Sequence, residues 1–250
     1  MTGRLPTLAG PDPRRRSTAV EQSPHQNVTF PSAGEQAHGY LALPETGRGP
    51  GVIVVQEWWG LTDHIRDVAD RLAAEGFVAL APDLYGGSIT HDAEEAAAMM
   101  ARLPEEEGAR LLGGAVDHLL GHEAVTSATL GAVGFCMGGG FVLALAADQG
   151  ERIGAAVPFY GVGQGLPDAY QGLRAAVQGH YGRQDRSYPV EKAEALEEQI
   201  RRESGAPVVQ FHFYDAPHAF HNDENRHNHR PEDARTAWAR AIAFLREHVR

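Results

Sequence analysis

The sequence contains a single cysteine, Cys136, among its 250 residues. One cysteine excludes an internal disulfide framework, and this usage is typical of a protein kept in a reducing cytosol. Long hydrophobic runs are also missing, since no apolar stretch approaches the roughly 18 residues of a membrane-spanning helix. We therefore expect a cytoplasmic protein without a transmembrane segment.

Positive charge is scarce in this chain. There are 22 Lys and Arg against 33 Asp and Glu, which gives a formal net charge of −11. This acidic balance makes nucleic acid and anionic membrane surfaces poor candidates as partners. The run Arg14-Arg15-Arg16 has the charge of an export signal, but residues 17–26 are polar and supply no apolar segment after it. We therefore do not expect export.

Composition divides the chain into a short tail and one domain. Residues 1–25 are rich in Pro, Gly, Arg and Ser without periodicity, which predicts a disordered or loosely attached tail. Strand-like and helix-like segments then alternate over residues 26–250 with no visible linker or repeat, which predicts a single α/β domain. Short, continuously apolar runs such as residues 52–55 are typical of parallel strands buried on both faces.

The expected architecture is a mostly parallel sheet of about eight strands with helices on both faces. The predicted strands cover residues 27–30, 38–43, 51–56, 77–81, 129–135, 153–160, 175–181 and 207–214. The predicted helices cover residues 63–75, 91–102, 105–120, 190–202 and 231–248, and an apolar, alanine-rich run at 141–147 predicts one more.

Residues 134–138 (Gly-Phe-Cys-Met-Gly) lie between the strand-like run 129–133 and the apolar run 141–147. G-x-C-x-G between a strand and a helix is the nucleophile-elbow pattern of α/β-hydrolases, with cysteine in the serine position. Flanking glycines suit a tight turn, and the helix N-terminus behind it favours a thiolate or an oxyanion. A lone cysteine is more often a small buried apolar residue, so the motif needs support elsewhere in the chain.

Four polar residues follow the ends of predicted strands: Glu57, Cys136, Asp185 and His218. Functional groups gather at the carboxyl ends of the strands in an open α/β sheet. Cys136, Asp185 and His218 have the chain order nucleophile, acid, histidine that α/β-hydrolases use. A cysteine nucleophile needs a base, and the base needs a partner that fixes its tautomer. Asp is common in turns and most of the 13 histidines must be bystanders, but together these three residues predict a catalytic triad.

Six motifs together resemble those of the dienelactone hydrolase family (carboxymethylenebutenolidases), from about residue 27 to the C-terminus. They are Gln-Glu-Trp-Trp-Gly at 56–60, Ala-Pro-Asp-Leu-Tyr at 81–85, Gly-Phe-Cys-Met-Gly-Gly at 134–139, Phe-Tyr-Gly at 159–161, Gly-Arg-Gln-Asp at 182–185 and His-Ala-Phe at 218–220. The resemblance implies an α/β-hydrolase fold with a Cys136-His218-Asp185 triad. It also implies hydrolysis of a small ester or lactone through an acyl-enzyme, without metal or cofactor.

The resemblance assigns further roles around the triad. It implies that Glu57 contacts the resting Cys136 and moves away when substrate binds. A nearby carboxylate disfavours the thiolate and so protects the nucleophile, although Glu57 could also be a buried carboxyl that only braces a loop. The expected oxyanion hole consists of the backbone N–H groups of Met137 and Trp58.

Aromatic residues of the same motifs are expected to wall the substrate pocket, although each could equally belong to the core. Besides Trp58, these residues are Trp59, Tyr85 and Phe220.

One departure from the family pattern concerns substrate binding. The family holds the substrate carboxylate with one arginine after the Pro-Asp-Leu-Tyr motif and another after the catalytic histidine. The corresponding positions here are occupied by Gly87 and Asn222. A guanidinium that binds a carboxylate through two hydrogen bonds is not replaced by glycine, so a neutral or differently placed polar substrate is at least as well supported. Arg183 and Arg226 are candidates to compensate.

Metal and nucleotide sites are less well supported. His218, His221, His227 and His229 suggest a metal site, but the segment is irregular and no nearby cysteine completes a zinc pattern. No phosphate-binding glycine motif follows a strand. A thiol that senses peroxide or electrophiles, or a binding protein without turnover, remains an alternative to the hydrolase. The expected partner is a small ester or lactone, and the expected state is a monomer or small homo-oligomer.

Overall fold

The computed structural model describes residues 25–161, 163, 165–167 and 169–250. The predicted tail, residues 1–25, therefore lies outside the described residues except for its last position. The strands are β1 (Val28–Ser32), β2 (Glu35–Ala42), β3 (Gly49–Val55), β4 (Val78–Pro82), β5 (Val125–Phe135), β6 (Ile153–Phe159), β7 (Ala176–Gly182) and β8 (Val209–Tyr214). The helices are α1 (Asp63–Ala74), α2 (Ala93–Ala101), α3 (Glu105–Leu120), α4 (Met137–Gln149), α5 (Val190–Glu203) and α6 (Pro231–His248), with a short 3₁₀ turn at Gly150–Arg152.

All eight strands form one sheet, in the order β1-β2-β4-β3-β5-β6-β7-β8. The pairs β1–β2 and β2–β4 are antiparallel, and the pairs from β4 to β8 are parallel. β1 and β2 form a hairpin whose two turn residues, Ala33 and Gly34, both have positive φ, as a tight hairpin turn requires. The predicted mostly parallel sheet of eight strands is confirmed.

Helices cover both faces of the sheet, and this explains why the apolar run in β3 is continuous. Ile53 and Val55 pack into the core on the face that carries α3, α4 and α5. Val52 and Val54 alternate with them and pack into the opposite core, beneath α1 and α6. Because each face is buried, every position of this strand must be apolar.

The parallel strands bring their carboxyl ends to a single edge of the sheet. β3 is followed by Glu57, β5 by Cys136, β7 by Asp185 and β8 by His218. Glu57 and His218, which are 161 positions apart in the sequence, therefore lie at the same edge because of the order of the strands. Among the described residues, no helix combines the length and the apolarity that crossing a membrane requires.

Candidate active site

The elbow after β5 places Cys136 in a strained backbone conformation. Its φ is 53° and its ψ is −117°, and α4 begins at the next residue. A residue other than glycine adopts positive φ only when its surroundings impose it, and such strain is concentrated at functional sites. A Cβ on Gly134 would overlap the carbonyl of Gly138, and a Cβ on Gly138 would overlap the carbonyl of Val55. Both glycines are therefore required for the close approach of β5, α4 and β3.

His218 is oriented by the buried carboxylate of Asp185. Its Nδ1 lies 2.7 Å from Asp185 Oδ2, and the Asp185 side chain is fully shielded from solvent. The second carboxylate oxygen, Oδ1, accepts hydrogen bonds from the backbone N–H groups of Ser187 at 2.8 Å and Tyr188 at 2.9 Å. These bonds fix the carboxylate, and the carboxylate in turn fixes the tautomer and the tilt of the imidazole.

The imidazole of His218 also interacts with the sulfur of Cys136. Burial alone lowers the pKa of His218, but hydrogen bonding to Asp185 and the interaction with Cys136 outweigh it and raise the pKa to about 10. The Asp185 carboxylate and the hydrogen bond to the Cys136 sulfur therefore both favour the imidazolium form. Cys136 itself is partly exposed and faces a cavity that His218 also lines.

Glu57 is 1% exposed and is held by two side chains other than Cys136. Asn222 Nδ2 donates a 2.6 Å hydrogen bond to Glu57 Oε2, and the Tyr160 hydroxyl donates a longer one of 3.5 Å to Oε1. Burial raises the pKa of Glu57 above its ordinary value, against the opposing effects of His64, Asn222 and His218. The carboxyl group thus lines the cavity with Cys136, but its hydrogen bonds point to Asn222 and Tyr160.

A cavity of about 380 Å³ lies over Cys136 and His218, and its walls combine apolar and amide groups. Trp58 and Trp59 form one wall, with their rings edge to face at 4.8 Å. Further lining residues come from the segment after β8 and from the loop after β7: Ser187, Ala219, Asn225 and Asn228.

The two other predicted pocket aromatics lie elsewhere. Phe220 is fully buried and packs against Tyr160 and Tyr214, because the chain turns inward at Ala219, where φ is 58°. Tyr85 lines another cavity, and its hydroxyl donates a 3.3 Å hydrogen bond to the Met137 sulfur. Phe220 therefore belongs to the core, where it contacts the ring of Tyr160, and Tyr85 contacts the residue that follows the nucleophile.

The two expected oxyanion donors belong to different elements, the start of α4 and the loop after β3. Met137 is the first residue of α4, and an N–H group in the first turn of a helix has no acceptor within that helix. Trp58 follows β3 and lines the cavity. An oxygen bound over the elbow would also gain from the positive end of the helix dipole.

Sequence reasoning missed the amide residues of the segment after His218. Asn222 binds Glu57, and Asn228 Nδ2 donates a 3.0 Å hydrogen bond to the carbonyl of His218. Both lie within ten residues of the histidine, in a stretch where three asparagines occur. That density of amides next to a predicted catalytic residue was the available signal.

The remaining histidines of this segment have separate surroundings. His221 is buried, its pKa is well below the ordinary value because of burial, and its Nε2 lies 3.4 Å from Arg71. His229 Nδ1 contacts the carbonyl of Phe220 at 3.2 Å, while His227 is exposed. Within the described residues, no three His, Cys, Asp or Glu side chains are placed to share a metal ion.

Comparison with known proteins supplies the family. A family model described as the dienelactone hydrolase family matches residues 37–249. The chain is 30% identical over 230 residues to Protein usf of Aquifex pyrophilus, covering 90% of this chain and 99% of that protein. It is 33% identical over 237 residues to a protein of Methylorubrum extorquens that is provisionally named carboxymethylenebutenolidase, covering 88% of this chain and 80% of the relative.

A solved structure agrees with the sequence comparisons. A protein of Klebsiella pneumoniae, provisionally named a dienelactone hydrolase, superposes with a TM-score of 0.78 at 31% identity, over 88% of this chain and 97% of that one. The family match spans most of the described sheet and every strand end at which the candidate residues lie. The chain belongs to the dienelactone hydrolase family, and it is a hydrolase of that type.

Proposed function

We propose that this hydrolase cleaves a small ester or lactone through an acyl-enzyme on Cys136, with His218 as the base and Asp185 as its orienting partner. One observation carries the proposal. At the carboxyl edge of the sheet, Asp185 holds His218 at 2.7 Å, and His218 interacts on its other side with Cys136. A nucleophile, a base and an orienting acid in contact are the requirement for nucleophilic catalysis of acyl transfer.

The raised pKa of His218 defines the resting protonation of the imidazole. With a pKa of about 10, the imidazole holds its proton at neutral pH. We infer that the charge of this imidazolium stabilises the thiolate form of Cys136 at the moment of attack. A thiolate attacks a carbonyl carbon directly, whereas a thiol must first lose its proton.

Hydrolysis then proceeds by formation and breakdown of an acyl-enzyme. The Cys136 sulfur forms a bond to the substrate carbonyl carbon, and the carbonyl oxygen becomes an oxyanion facing the N–H groups of Met137 and Trp58. Collapse of this intermediate breaks the bond to the alcohol oxygen, which takes the proton of His218. Water then attacks the thioester and gives a proton back to His218, and release of the acid restores the thiolate and imidazolium.

Glu57 supports this cycle as a buried carboxyl at the cavity wall. Burial raises its pKa, and a carboxyl group that is neutral or turned toward Asn222 does less to disfavour the thiolate than one that faces it. We propose that Glu57 tunes the reactivity of Cys136, with Asn222 and Tyr160 setting its position.

The cavity favours a small substrate without the anion clamp that the family resemblance implies. The backbone N–H of Gly87 donates to Asp83, and the Asn222 amide is engaged with Glu57, so neither position offers a cation to substrate. Trp58 and Trp59 supply an apolar wall for the acyl group. We propose that the protein works in the cytoplasm, where a reactive thiol stays reduced.

Turnover of p-nitrophenyl acetate and of a simple lactone tests the proposal. Wild type is expected to hydrolyse at least one of them, while Cys136→Ala and His218→Ala each lose about three orders of magnitude or more in kcat/KM. Rapid quenching followed by mass spectrometry should find one acetyl group on the peptide that contains Cys136.

Two outcomes would overturn the proposal. Turnover that persists in Cys136→Ala would place the nucleophile elsewhere. Absence of wild-type turnover on a broad ester and lactone panel would favour a thiol sensor or a binding protein.

A further inference from the structure

A buried imidazole in the first turn of α1 has none of the roles described above. The side chain of His64 is fully shielded from solvent, and its ring meets that of Phe135 edge to face, with the ring centroids 6.2 Å apart. Phe135 is the residue before Cys136 in the elbow. His64 is therefore packed against the residue that precedes the nucleophile.

The partner of this imidazole is an exposed carboxylate. His64 Nδ1 lies 2.9 Å from Asp223 Oδ1, and the Asp223 side chain is 65% exposed. Burial raises the pKa of Asp223, but the hydrogen bond with His64 and the charge of that ring outweigh it and leave the pKa below its ordinary value. The other ring nitrogen, Nε2, is buried and has no hydrogen-bond partner among the described residues. Asp223 is thus the polar group that orients the ring.

The segment after β8 holds both His64 and Glu57. Asn222 Nδ2 donates the 2.6 Å hydrogen bond to Glu57, and the next residue, Asp223, binds His64. Glu57 follows β3, whereas His64 lies in α1. Two consecutive residues therefore connect the carboxyl group at the cavity wall with the imidazole in the helix, so the positions of the two groups are set together.

His64 also acts on Glu57 through its charge. Burial raises the pKa of Glu57, and among the groups that oppose this effect His64 contributes most. An imidazolium here favours the carboxylate form of Glu57. A buried imidazolium needs a counter-charge, and the paired carboxylate of Asp223 supplies it.

A second buried histidine nearby has different surroundings. The ring centroid of His221 lies 5.9 Å from that of His64, and His221 Nε2 lies 3.4 Å from Arg71 Nη2. Burial, together with the positive charge of Arg71, keeps the pKa of His221 well below its ordinary value. Of these two imidazoles, His64 is therefore the one whose charge is supported by a carboxylate.

We propose that His64 and Asp223 are positioning residues that set the ionisation of Glu57. Through Glu57 they control the reactivity of Cys136, because a carboxylate at the cavity wall disfavours the thiolate. Neither residue of the pair lines the cavity that contains Cys136, so both act through another group. This inference rests on the proposed function, from which it takes the role of Glu57 beside Cys136.

The direction of one rate change distinguishes this route from a direct one. His64→Gln removes the imidazole, so Glu57 is neutral in a larger fraction of molecules and the thiolate is less disfavoured. Alkylation of Cys136 by iodoacetamide at pH 7 should become about twofold faster. If the ring acted directly on the sulfur, loss of a cation would slow the reaction instead. A slower or unchanged rate would therefore contradict the proposal.

The exposed partner provides variants that keep the buried ring. Asp223→Asn retains an oxygen acceptor for Nδ1 but removes the counter-charge, so alkylation should accelerate by a similar or smaller factor. Asp223→Glu keeps the carboxylate and should react at nearly the wild-type rate. Because Asp223 is exposed, these variants decide the question even if His64→Gln fails to fold.

A matched control separates this pair from general charge effects. Asp70→Asn removes an exposed carboxylate farther along α1, which accepts a hydrogen bond from Tyr40, and it should leave the alkylation rate unchanged. Equal acceleration by Asp70→Asn and Asp223→Asn would show that only the total charge matters and would rule out the pair.

A double-mutant cycle tests whether the effect passes through Glu57. In the Glu57→Gln background, neither His64→Gln nor Asp223→Asn should accelerate alkylation further. Acceleration that persists in that background would mean that the pair acts through a different group, and the proposal would be wrong.

Alkylation needs no turnover, so failure of the pair and failure of the proposed chemistry are distinguishable. Unchanged alkylation in both variants, in a protein that hydrolyses esters through Cys136, would overturn the positioning pair and leave the proposed function intact. Absence of ester turnover in wild type, with the expected alkylation pattern, would support the pair and count against the chemistry.

Discussion

The side-chain amide of Asn222 donates a 2.6 Å hydrogen bond to the buried carboxyl group of Glu57. Asn222 occupies one of the two positions at which the family resemblance leads us to expect an arginine. An arginine there could bind a substrate carboxylate, but asparagine is short and is already occupied by Glu57. The substitution thus removes one anion contact and supplies a fixed partner for the residue that is expected to control Cys136.

Replacing Glu57 by glutamine should make the Cys136 thiol more reactive. Glu57→Gln removes a negative charge from the cavity wall and keeps the shape of the side chain, so the thiolate is less disfavoured. We expect alkylation by iodoacetamide to become about threefold faster at pH 8. Rates are measured under pseudo-first-order conditions, with circular dichroism as the control for folding. An unchanged rate would remove the proposed tuning role.

Replacing Asn222 by alanine should have the opposite effect on the same rate. Asn222→Ala removes the donor that holds Glu57, so the carboxylate is free to turn toward Cys136 and alkylation should slow. In the Glu57→Gln background the Asn222→Ala change should have little effect, which a double-mutant cycle would show as a coupling of the two residues. Additive effects on alkylation would mean that Asn222 acts through some other group.

The pKa of His218 predicts how stability depends on pH. The pKa rises from an ordinary value of 6.5 to about 10 in the folded protein, so folding favours the protonated ring. The stabilisation is complete below pH 6.5 and disappears as the pH rises through about 10. The unfolding free energy of wild type, relative to Asp185→Asn, should therefore fall between pH 7 and pH 10, by an amount on the order of a few kcal/mol at most.

Nuclear magnetic resonance gives the direct measurement of the same group. The imidazole signals of His218 should titrate near pH 10 in wild type and at distinctly lower pH in Asp185→Asn, where the carboxylate is lost. His218→Gln identifies the signals by their absence. A wild-type midpoint near 6.5 would contradict both this prediction and the proposed protonated resting state of His218.

The sequence predicted those parts of the molecule in which one residue pattern has one structural cause. Residues 52–55 are apolar because both faces of β3 are buried, and the predicted central strand was confirmed. The start of β5 was not predicted, because residues 125–128 alternate between partly and largely exposed positions and carry no continuous apolar signal. The pattern of apolar residues reflects burial, so it does not reveal the part of a strand that extends beyond the core.

Contacts between side chains that are far apart in the sequence leave no local pattern by which they could be predicted. Glu57 and Asn222 are 165 positions apart, and no local pattern connects a carboxyl after β3 with an amide after β8. Phe220 shows the converse problem: an aromatic residue next to a predicted catalytic histidine fits a pocket wall and a buried core equally well. Only the inward turn at Ala219 decides between them.

Two adjacent glycines in α3, Gly113 and Gly114, allow a test of how closely this helix packs against β1. A Cβ on Gly113 would meet only the flexible end of Gln149, at 3.8 Å, whereas a Cβ on Gly114 would come within 2.5 Å of the Ser32 side chain and 2.8 Å of its Cα. Ser32 cannot yield easily, because it is buried and its hydroxyl donates a 2.8 Å hydrogen bond to the carbonyl of Arg110 in the same helix.

The two substitutions should therefore change stability in opposite directions. Gly113→Ala is expected to stabilise the protein by about 0.5–1 kcal/mol through higher helix propensity. Gly114→Ala gains the same propensity but is expected to lose about 1–3 kcal/mol to overpacking between α3 and β1. Urea unfolding measures both, and each variant serves as the control for the other. Stabilisation by both substitutions would mean that α3 lies farther from β1 than the structure indicates.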